Sequence, residues 1–345
     1  MGKILVTGGC GYIGSHTLIE LLKQGRFDVV SADNLLNSSI RTLDRIEQIT
    51  GKRVKNYETD LCNLTETQKV FEENSDIVGV IHFAALKAVG DSVEQPLEYY
   101  QNNFVSMINV MKCCADYGVS NFIFSSSCSI YGNIEKLPVT ETTPISEAES
   151  PYANTKKVGE RIIRDFAKVH PNTQTIALRY FNPVGAHETG LNGEDPINKP
   201  TNLVPVITQT ASGIIPKLSV FGGDYDTRDG SCIRDYIHVT DIALAHIKAL
   251  NYLVDGKNES NYECYNLGSG EGVSVLEAIK TFEAVTGLKL NYEVGPRRDG
   301  DVVAIYSDSS LAKEKLGWEA ERGIEEMMTS AWKWQSHLNS ERMEA

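Results

Sequence analysis

Tyr152 and Lys156 stand four residues apart in the stretch Pro151-Tyr152-Ala153-Asn154-Thr155-Lys156. Proline suits the first turn of a helix, and positions four apart share a helix face. The spacing therefore sets a phenol and an ammonium side by side at a helix start. An ammonium near a phenol favours the phenolate and draws its pKa below the usual value of about 10. That is one way to make a base of tyrosine near neutral pH. The same spacing also fits a surface tyrosine beside a surface lysine, a common and weak pairing. Ser125-Ser126-Ser127 poses a similar choice. Its hydroxyls suit a turn, but a serine beside Tyr152 could share the proton of a reacting hydroxyl.

A second chemical feature lies near the N-terminus. Gly8, Gly11 and Gly14 fit GxxGxxG, while Gly9, Gly11 and Gly14 fit GxGxxG. Both patterns let the backbone approach a pyrophosphate closely at a helix N-terminus. The glycines follow a predicted strand and open a predicted helix, which is the context a dinucleotide turn requires. Asp33, about twenty residues on, is the expected ribose acceptor. A carboxylate there accepts from a 2′-hydroxyl and repels a 2′-phosphate, so it favours NAD over NADP. Asp60-Leu61 ends the third predicted strand and reads either as an adenine neighbour or as an ordinary strand end.

The elements that must position these residues form an α/β pattern. Predicted strands cover Lys3–Thr7, Asp28–Ala32, Lys55–Thr59, Ile77–Phe83, Asn121–Ser125 and Thr175–Arg179. Predicted helices cover Ile13–Gln24, Thr65–Asn74, Tyr99–Tyr117 and Pro151–Val169. Near-continuous apolar strands alternating with helices imply a doubly wound parallel sheet covered on both faces. After Phe181 the texture changes. Gly190–Asn202 reads as loop, Asn202–Gly213, Asp241–Leu253 and Ser274–Thr286 as helices, and the tail His337–Ala345 as frayed. The expectation is a dinucleotide-binding domain over 1–180 and a smaller mixed α/β lobe over 181–345. Segments around 235–270 are expected to return to the first sheet.

Composition bounds the function classes. The 345 residues are 41% hydrophobic and 23% charged, an ordinary globular mix. The net charge of -13 argues against non-specific nucleic-acid binding. No apolar run has membrane-spanning length, and the N-terminus reads as a strand rather than a signal peptide. Seven scattered cysteines suggest reduced thiols in the cytoplasm. His82, His187 and His238 read as packing residues, because no metal spacing accompanies them.

TGGCGYIGSH at 7–16, HFAALKAVGDS at 82–92, FSSS at 124–127, PYANTK at 151–156, YFNPVGAH at 180–187, RDYIHVTD at 234–241, YNLGSG at 265–270 and PRRDGD at 296–301 resemble the extended short-chain dehydrogenase/reductase superfamily. Within it they are most similar to the UDP-glucose 4-epimerase family. The resemblance runs from Lys3 to about Trp318. It implies a Rossmann-like fold, a UDP-sugar substrate, and transient oxidation of the sugar at C4 by bound NAD. The 4-keto sugar then rotates and takes its hydride back on the other face. Tyr152 would be the base, Lys156 its charge partner, and Ser127 the residue positioning the 4-hydroxyl.

The resemblance also implies binding residues. For the cofactor these are Gly8, Gly11, Tyr12, Ile13, Gly14, Asp33, Asn34, Asp60, Leu61, Phe83, Ala84, Ala85, Lys87, Asn102, Tyr152, Lys156 and Tyr180. For the UDP-sugar they are Ser127, Tyr152, Phe181, Asn182, Asn202, Leu203, Lys217, Ser219, Phe221, Arg234, Arg298 and Asp301. Two arginines suit a diphosphate by their planar donor forks. A homodimer through the Tyr99–Tyr117 and Pro151–Val169 helices is implied as well.

Two positions depart from the family pattern. Cys128 stands where many relatives have a small residue. Ile305 stands where an aromatic restricts the pocket to hexoses and a small residue admits N-acetylated sugars, which leaves that breadth open. Rival readings are a 4,6-dehydratase, an epimerase of N-acetylhexosamines, uronates or pentoses, and a non-catalytic NAD-binding regulator. The dehydratase needs a carboxylate after the fifth strand, where this chain has Ser127-Cys128-Ser129. A uronate pocket needs a spare cation, and none is evident. A regulator of this class typically lacks the tyrosine, which is retained here.

Overall fold

The computed structural model describes residues 2–298 and 301–344. The first half of the chain runs β1 (Lys3–Thr7), α1 (Tyr12–Gln24), β2 (Asp28–Ala32), α2 (Arg41–Thr50), β3 (Lys55–Tyr57), α3 (Leu64–Glu72), β4 (Ile77–His82), α4 (Val89–Glu94), α5 (Pro96–Asp116), β5 (Asn121–Ser127), α6 (Pro151–Val169) and β6 (Gln174–Tyr180). The second half runs β7 (Asn182–Val184), α7 (Leu203–Ala211), β8 (Leu218–Phe221), β9 (Ile233–His238), α8 (Val239–Val254), β10 (Tyr262–Leu267), β11 (Gly272–Ser274), α9 (Val275–Thr286), β12 (Tyr292–Gly295), β13 (Ala304–Ile305), α10 (Ser310–Leu316) and α11 (Ile324–Glu344).

Seven parallel strands form the main sheet in the order β3-β2-β1-β4-β5-β6-β10. Side chains alternate between its faces, as strand geometry requires. Ile4, Val6, Ile81 and Ile123 join α1 and α8 residues such as Leu18 and Ile242 in one apolar cluster. Leu5, Val80, Phe122 and Phe124 join α5 and α6 residues such as Val110 and Ile163 in the other. Burial on both faces is why these strands read as continuous apolar runs. The last strand, β10, pairs with β6 from Tyr262↔Thr175 to Leu267↔Tyr180, and α8 packs on α1.

The remaining elements surround β9. Strands β7 and β13 pair with it in parallel and β11 in antiparallel fashion, while β8 and β12 form a separate parallel pair. Their core gathers Ile207, Val220, Tyr236, Ile279, Phe282 and Met328.

Helix ends follow local chemistry. Ser150 caps α6 by accepting from the Ala153 N–H at 3.2 Å, with Pro151 in the first turn. Gly25, at φ 66°, closes α1. The tail departs from expectation. Residues read as frayed continue α11 to Glu344, because Trp334 and Leu338 bury against Ala186. Glu341 also takes a 2.9 Å hydrogen bond from the buried Arg45 of α2. Ala345, the end of that segment, lies outside the described residues. Strand β3 stops at Tyr57 rather than Thr59, and helices α2 and α4 add to the expected set.

Candidate active site

The carboxyl ends of β5 and β6 meet the start of α6. Tyr152 and Lys156 are both buried on that helix. The Lys156 ammonium lies 5.9 Å from the centroid of the Tyr152 ring. It donates 2.7 Å to the Ser125 carbonyl at the end of β5. It also sits 5.0 Å from the Phe124 ring. Burial lowers the Lys156 pKa to about 8. The phenol behaves differently from the sequence expectation. Burial, together with the neighbouring Tyr180, pushes the Tyr152 pKa well above 10, and Ser127 only partly offsets this. In the chain alone Tyr152 is therefore a protonated phenol. The spacing placed the two groups correctly, but it could not register how dry their site is.

The three serines divide their work. The Ser125 hydroxyl is hydrogen-bonded to the Tyr180 hydroxyl. Ser126 donates 2.5 Å to Glu160 of α6. Ser127, next to Tyr152, accepts from the Ser129 N–H at 3.2 Å. Tyr180, Cys128 and Tyr99 are neighbours that push the Tyr152 pKa up. Cys128 is held as a thiol, its pKa pushed up to about 12 by burial. Ile305 packs with Phe181, Tyr131 and Val139 in a small buried cluster beyond the serines.

The glycine turn is shaped for close approach. Gly8 adopts φ 69°, and a Cβ there would come within 2.8 Å of the Ala84 nitrogen. A Cβ on Gly14 would lie 2.2 Å from the Gly8 carbonyl. The start of α1 is capped by no side chain, so the leading N–H groups at Tyr12 and Ile13 remain for an anion. Asp33 is buried at the end of β2. One carboxylate oxygen accepts from the Leu35 N–H at 2.9 Å and the Ser38 hydroxyl at 2.8 Å. The other accepts, among the described residues, only the Cys10 N–H, at 2.9 Å. That second oxygen keeps a lone pair for a ribose hydroxyl. Asn34 turns back on the Leu36 N–H at 3.1 Å.

These features fit a dinucleotide whose ribose hydroxyls are free. Further along the strand ends, Asp60 accepts from the Cys62 N–H at 2.9 Å. The Leu61 side chain is buried in the core, which leaves Asp60 as the exposed member of that pair. Phe83 lies 4.6 Å from the His246 ring, tilted by 49°, and Ala84 and Ala85 continue past it. Asn102 donates 2.9 Å to Asn103.

The second set of candidates comes from the smaller lobe. Arg298 donates to Asp301 at 2.8 and 3.2 Å and lies 5.0 Å over the Phe221 ring. Arg234 approaches the same carboxylate at 3.5 Å and donates to the carbonyls of Ile233 and Val302 at 2.9 and 2.6 Å. Two guanidiniums thus share one acid, and Ser219 and Phe221 project from the exposed face of β8. Lys217 instead pairs with Glu293 at the far end of that strand pair. Asn182 opens β7, directly after the buried Phe181. Asn202 and the half-buried Leu203 start α7. Asp299 and Gly300 of the PRRDGD motif lie outside the described residues.

Several residues that matter here escaped sequence reasoning. Glu194, in the segment read only as loop, accepts from Lys87 and from Asn202, each at 3.1 Å. It thereby ties a cofactor candidate to a substrate candidate across the two lobes. Tyr12 spans the same junction by donating 2.6 Å to the Gly185 carbonyl. Asn103 grips both backbone groups of Leu86 at 2.8 and 3.0 Å. A lone acid in a Gly/Pro-rich loop gave no signal. A buried asparagine in a long helix gives a faint one, because it must find partners.

Known proteins resemble this chain over nearly its whole length, in sequence and in structure. The family model described as GDP-mannose 4,6 dehydratase matches residues 5–331. A curated UDP-glucose 4-epimerase of Pasteurella multocida is 51% identical over 332 residues, covering 96% of this chain and 97% of that protein. A UDP-glucose-4-epimerase from Stenotrophomonas maltophila, solved with bound NAD and formylated UDP-arabinopyranose, superposes with TM-score 0.95. It is 42% identical and covers 99% of this chain and 100% of that one. The Bifidobacterium longum UDP-glucose 4-epimerase, solved with NAD+ and UDP, gives TM-score 0.92 at 47% identity, covering 97% and 98%.

Proposed function

The chain belongs to the UDP-glucose 4-epimerase family of extended short-chain dehydrogenases/reductases, and from that premise we propose how its residues interconvert UDP-galactose and UDP-glucose. The observation that carries the reading is the buried Tyr152–Lys156–Ser127 group at the strand ends. With it we group the glycine turn after β1 and the Arg234–Arg298 pair that shares Asp301.

Bound NAD supplies the reversible acceptor for the C4 hydrogen. Gly8, Gly11, Tyr12, Ile13 and Gly14 form the turn and helix start that take the pyrophosphate. Asp33 and Asn34 take the adenine-side ribose, with Asp60 and Leu61 bordering the base. Phe83, Ala84, Ala85, Lys87, Asn102 and Tyr180 border the other half. Tyr152 takes the proton of the sugar 4-hydroxyl and returns it, and Ser127 holds that hydroxyl. Lys156 supplies a fixed positive charge. One of its three N–H donors is held by the Ser125 carbonyl, which fixes the ammonium near the phenol. A phenol this buried ionises only with more positive charge nearby than Lys156 provides.

Arg234 and Arg298 hold the diphosphate, and Asp301 orients them. Asn182, Asn202, Leu203, Ser219 and Phe221 complete the nucleotide side, while Phe181 flanks the sugar. Anchoring by the diphosphate leaves the sugar free to present either face, which a 4-epimerisation needs. A dehydratase would need a carboxylate after β5, where this chain has Ser127-Cys128-Ser129.

The working form we propose is a cytoplasmic homodimer. No helix among the described residues is long and apolar enough to cross a membrane. All seven cysteines are free thiols. Ile108, Met111, Ile162 and Phe166 line an apolar groove of about 240 Å³ between α5 and α6 that a second copy would cover.

The test is incubation of the purified protein with UDP-galactose, without added NAD, followed by proton NMR. UDP-glucose should appear at an equilibrium ratio. No conversion even after NAD is added would overturn the reading, and signals of a 4-keto-6-deoxy sugar would establish a dehydratase.

A further inference from the structure

Directly behind the reacting groups lies a buried polar network that the mechanism does not use. Glu160 sits on α6 one turn beyond Lys156, and its side chain is 2% exposed. Arg179 of β6 grips it with two prongs, at 2.8 and 2.6 Å. Ser126, fully buried on the face of β5 turned toward α6, donates 2.5 Å to it. Tyr262 of β10 adds a 3.1 Å hydrogen bond from the far side. The Glu160 carboxylate therefore cannot move without leaving the Arg179 charge unpaired in the core, which is strongly unfavourable.

We propose that Ser126 is a positioning residue, which pins α6 to β5 through Glu160 and so sets Tyr152 in register with Ser127. The pin works because α6 meets consecutive residues of β5 at two points one turn apart. Lys156 holds the Ser125 carbonyl at 2.7 Å, and Glu160 holds the Ser126 hydroxyl. One contact alone would let the helix pivot. Two contacts fix both its height and its rotation against the strand end that carries Ser127. Tyr152, one turn before Lys156, then has a single position relative to that serine. Displacement of reacting groups by about 1 Å can cost about 100-fold in rate, so this constraint bears directly on turnover.

The inference rests on Tyr152 being the base, and its test separates the two. Ser126→Ala removes one hydroxyl and leaves the Arg179–Glu160 pair intact. Its kcat for UDP-galactose should fall about ten- to a hundredfold, with KM and the amount of bound NAD unchanged. Tyr262→Phe removes a hydrogen bond from the same carboxylate on the side away from β5. It should lower Tm without lowering kcat. If Ser126→Ala does not fold, Ser126→Cys keeps a weaker donor there and should show a smaller loss, again in kcat alone.

Unchanged kcat in the Ser126 variant would overturn the pin. So would equal losses of kcat in the Ser126 and Tyr262 variants, which would make the network merely structural. Tyr152→Phe, assayed alongside, isolates the premise. If it remains active, the base assignment falls; if it is inactive while Ser126→Ala is not impaired, only the pin falls.

Discussion

The Lys156 ammonium lies 5.9 Å from the Tyr152 ring centroid and gives its hydrogen bond to the Ser125 carbonyl at 2.7 Å. The lysine is thus held where its charge acts on the phenol. A unit charge at that range contributes about 3 kcal/mol at an effective dielectric of 20, or about two pKa units. Burial of the phenol opposes and outweighs such a contribution. Tyr152 should thus stay protonated through neutral pH in cofactor-free protein and ionise at lower pH once NAD is bound. The ultraviolet difference between the parent and Tyr152→Phe, titrated with and without NAD, reads this directly. Equal titration in both states would refute it.

Tyr152→Phe should lower kcat by at least about 100- to 10,000-fold, with NAD content and Tm close to the parent. Retention of most activity would remove Tyr152 from the base role.

Lys156→Met keeps the length of the side chain and removes its charge. Loss of a positive charge raises the phenol pKa further. The acidic limb of the kcat profile should therefore move to higher pH and kcat at neutral pH should fall. An acidic limb that stays in place would show that Lys156 does not tune Tyr152.

Asp33→Asn should weaken NAD binding about tenfold or more, since hydrogen bonds to a charged group contribute roughly 1.5–3 kcal/mol. It should also narrow the preference for NAD over NADP, because the repelling charge is gone. Titration of the stripped protein with each cofactor checks this. An unchanged ratio would show that the carboxylate only serves its own loop, through Cys10, Leu35 and Ser38.

Five histidines are buried and held neutral, with pKa values lowered by burial to about 4 for His16, His187 and His246 and about 3 for His82 and His238. Among the described residues, the second ring nitrogens of His16 and His246 have no hydrogen-bond partner. In the unfolded chain each histidine takes a proton near its ordinary value of about 6.5. Between that value and the folded ones, the unfolded state binds more protons. Stability should be fully present above about pH 6.5 and decline as pH falls toward about 4. Urea midpoints measured across that window should drop, and a flat profile would show that these rings are not buried neutral.

What was legible in the sequence follows from range. The Gly8–Gly14 turn, Asp33 and the Tyr152–Lys156 pair are local patterns tied to single elements, and the fold places each at a strand end or helix start. The Ser150 cap and the Gly25 stop are equally local. Residues that act by long-range pairing were not legible. Glu160 and Arg179 are 19 residues apart, and Glu194 meets Lys87 across 107. The helix through His337 was missed for the same reason: its stability comes from Arg45 and Ala186, distant in the chain. Lys217 is a further case, because its partner Glu293 comes from β12.

The central claim is that the C4 hydrogen leaves the sugar and returns to it within one protein molecule. The most direct measurement uses UDP-galactose deuterated at C4, mixed with unlabelled substrate carrying a different, distinguishable label, in ordinary water. The account predicts that deuterium stays at C4 of the UDP-glucose formed, with no loss to solvent and no crossing to the second substrate. Deuterium washed into water, or found on the second substrate, would contradict it.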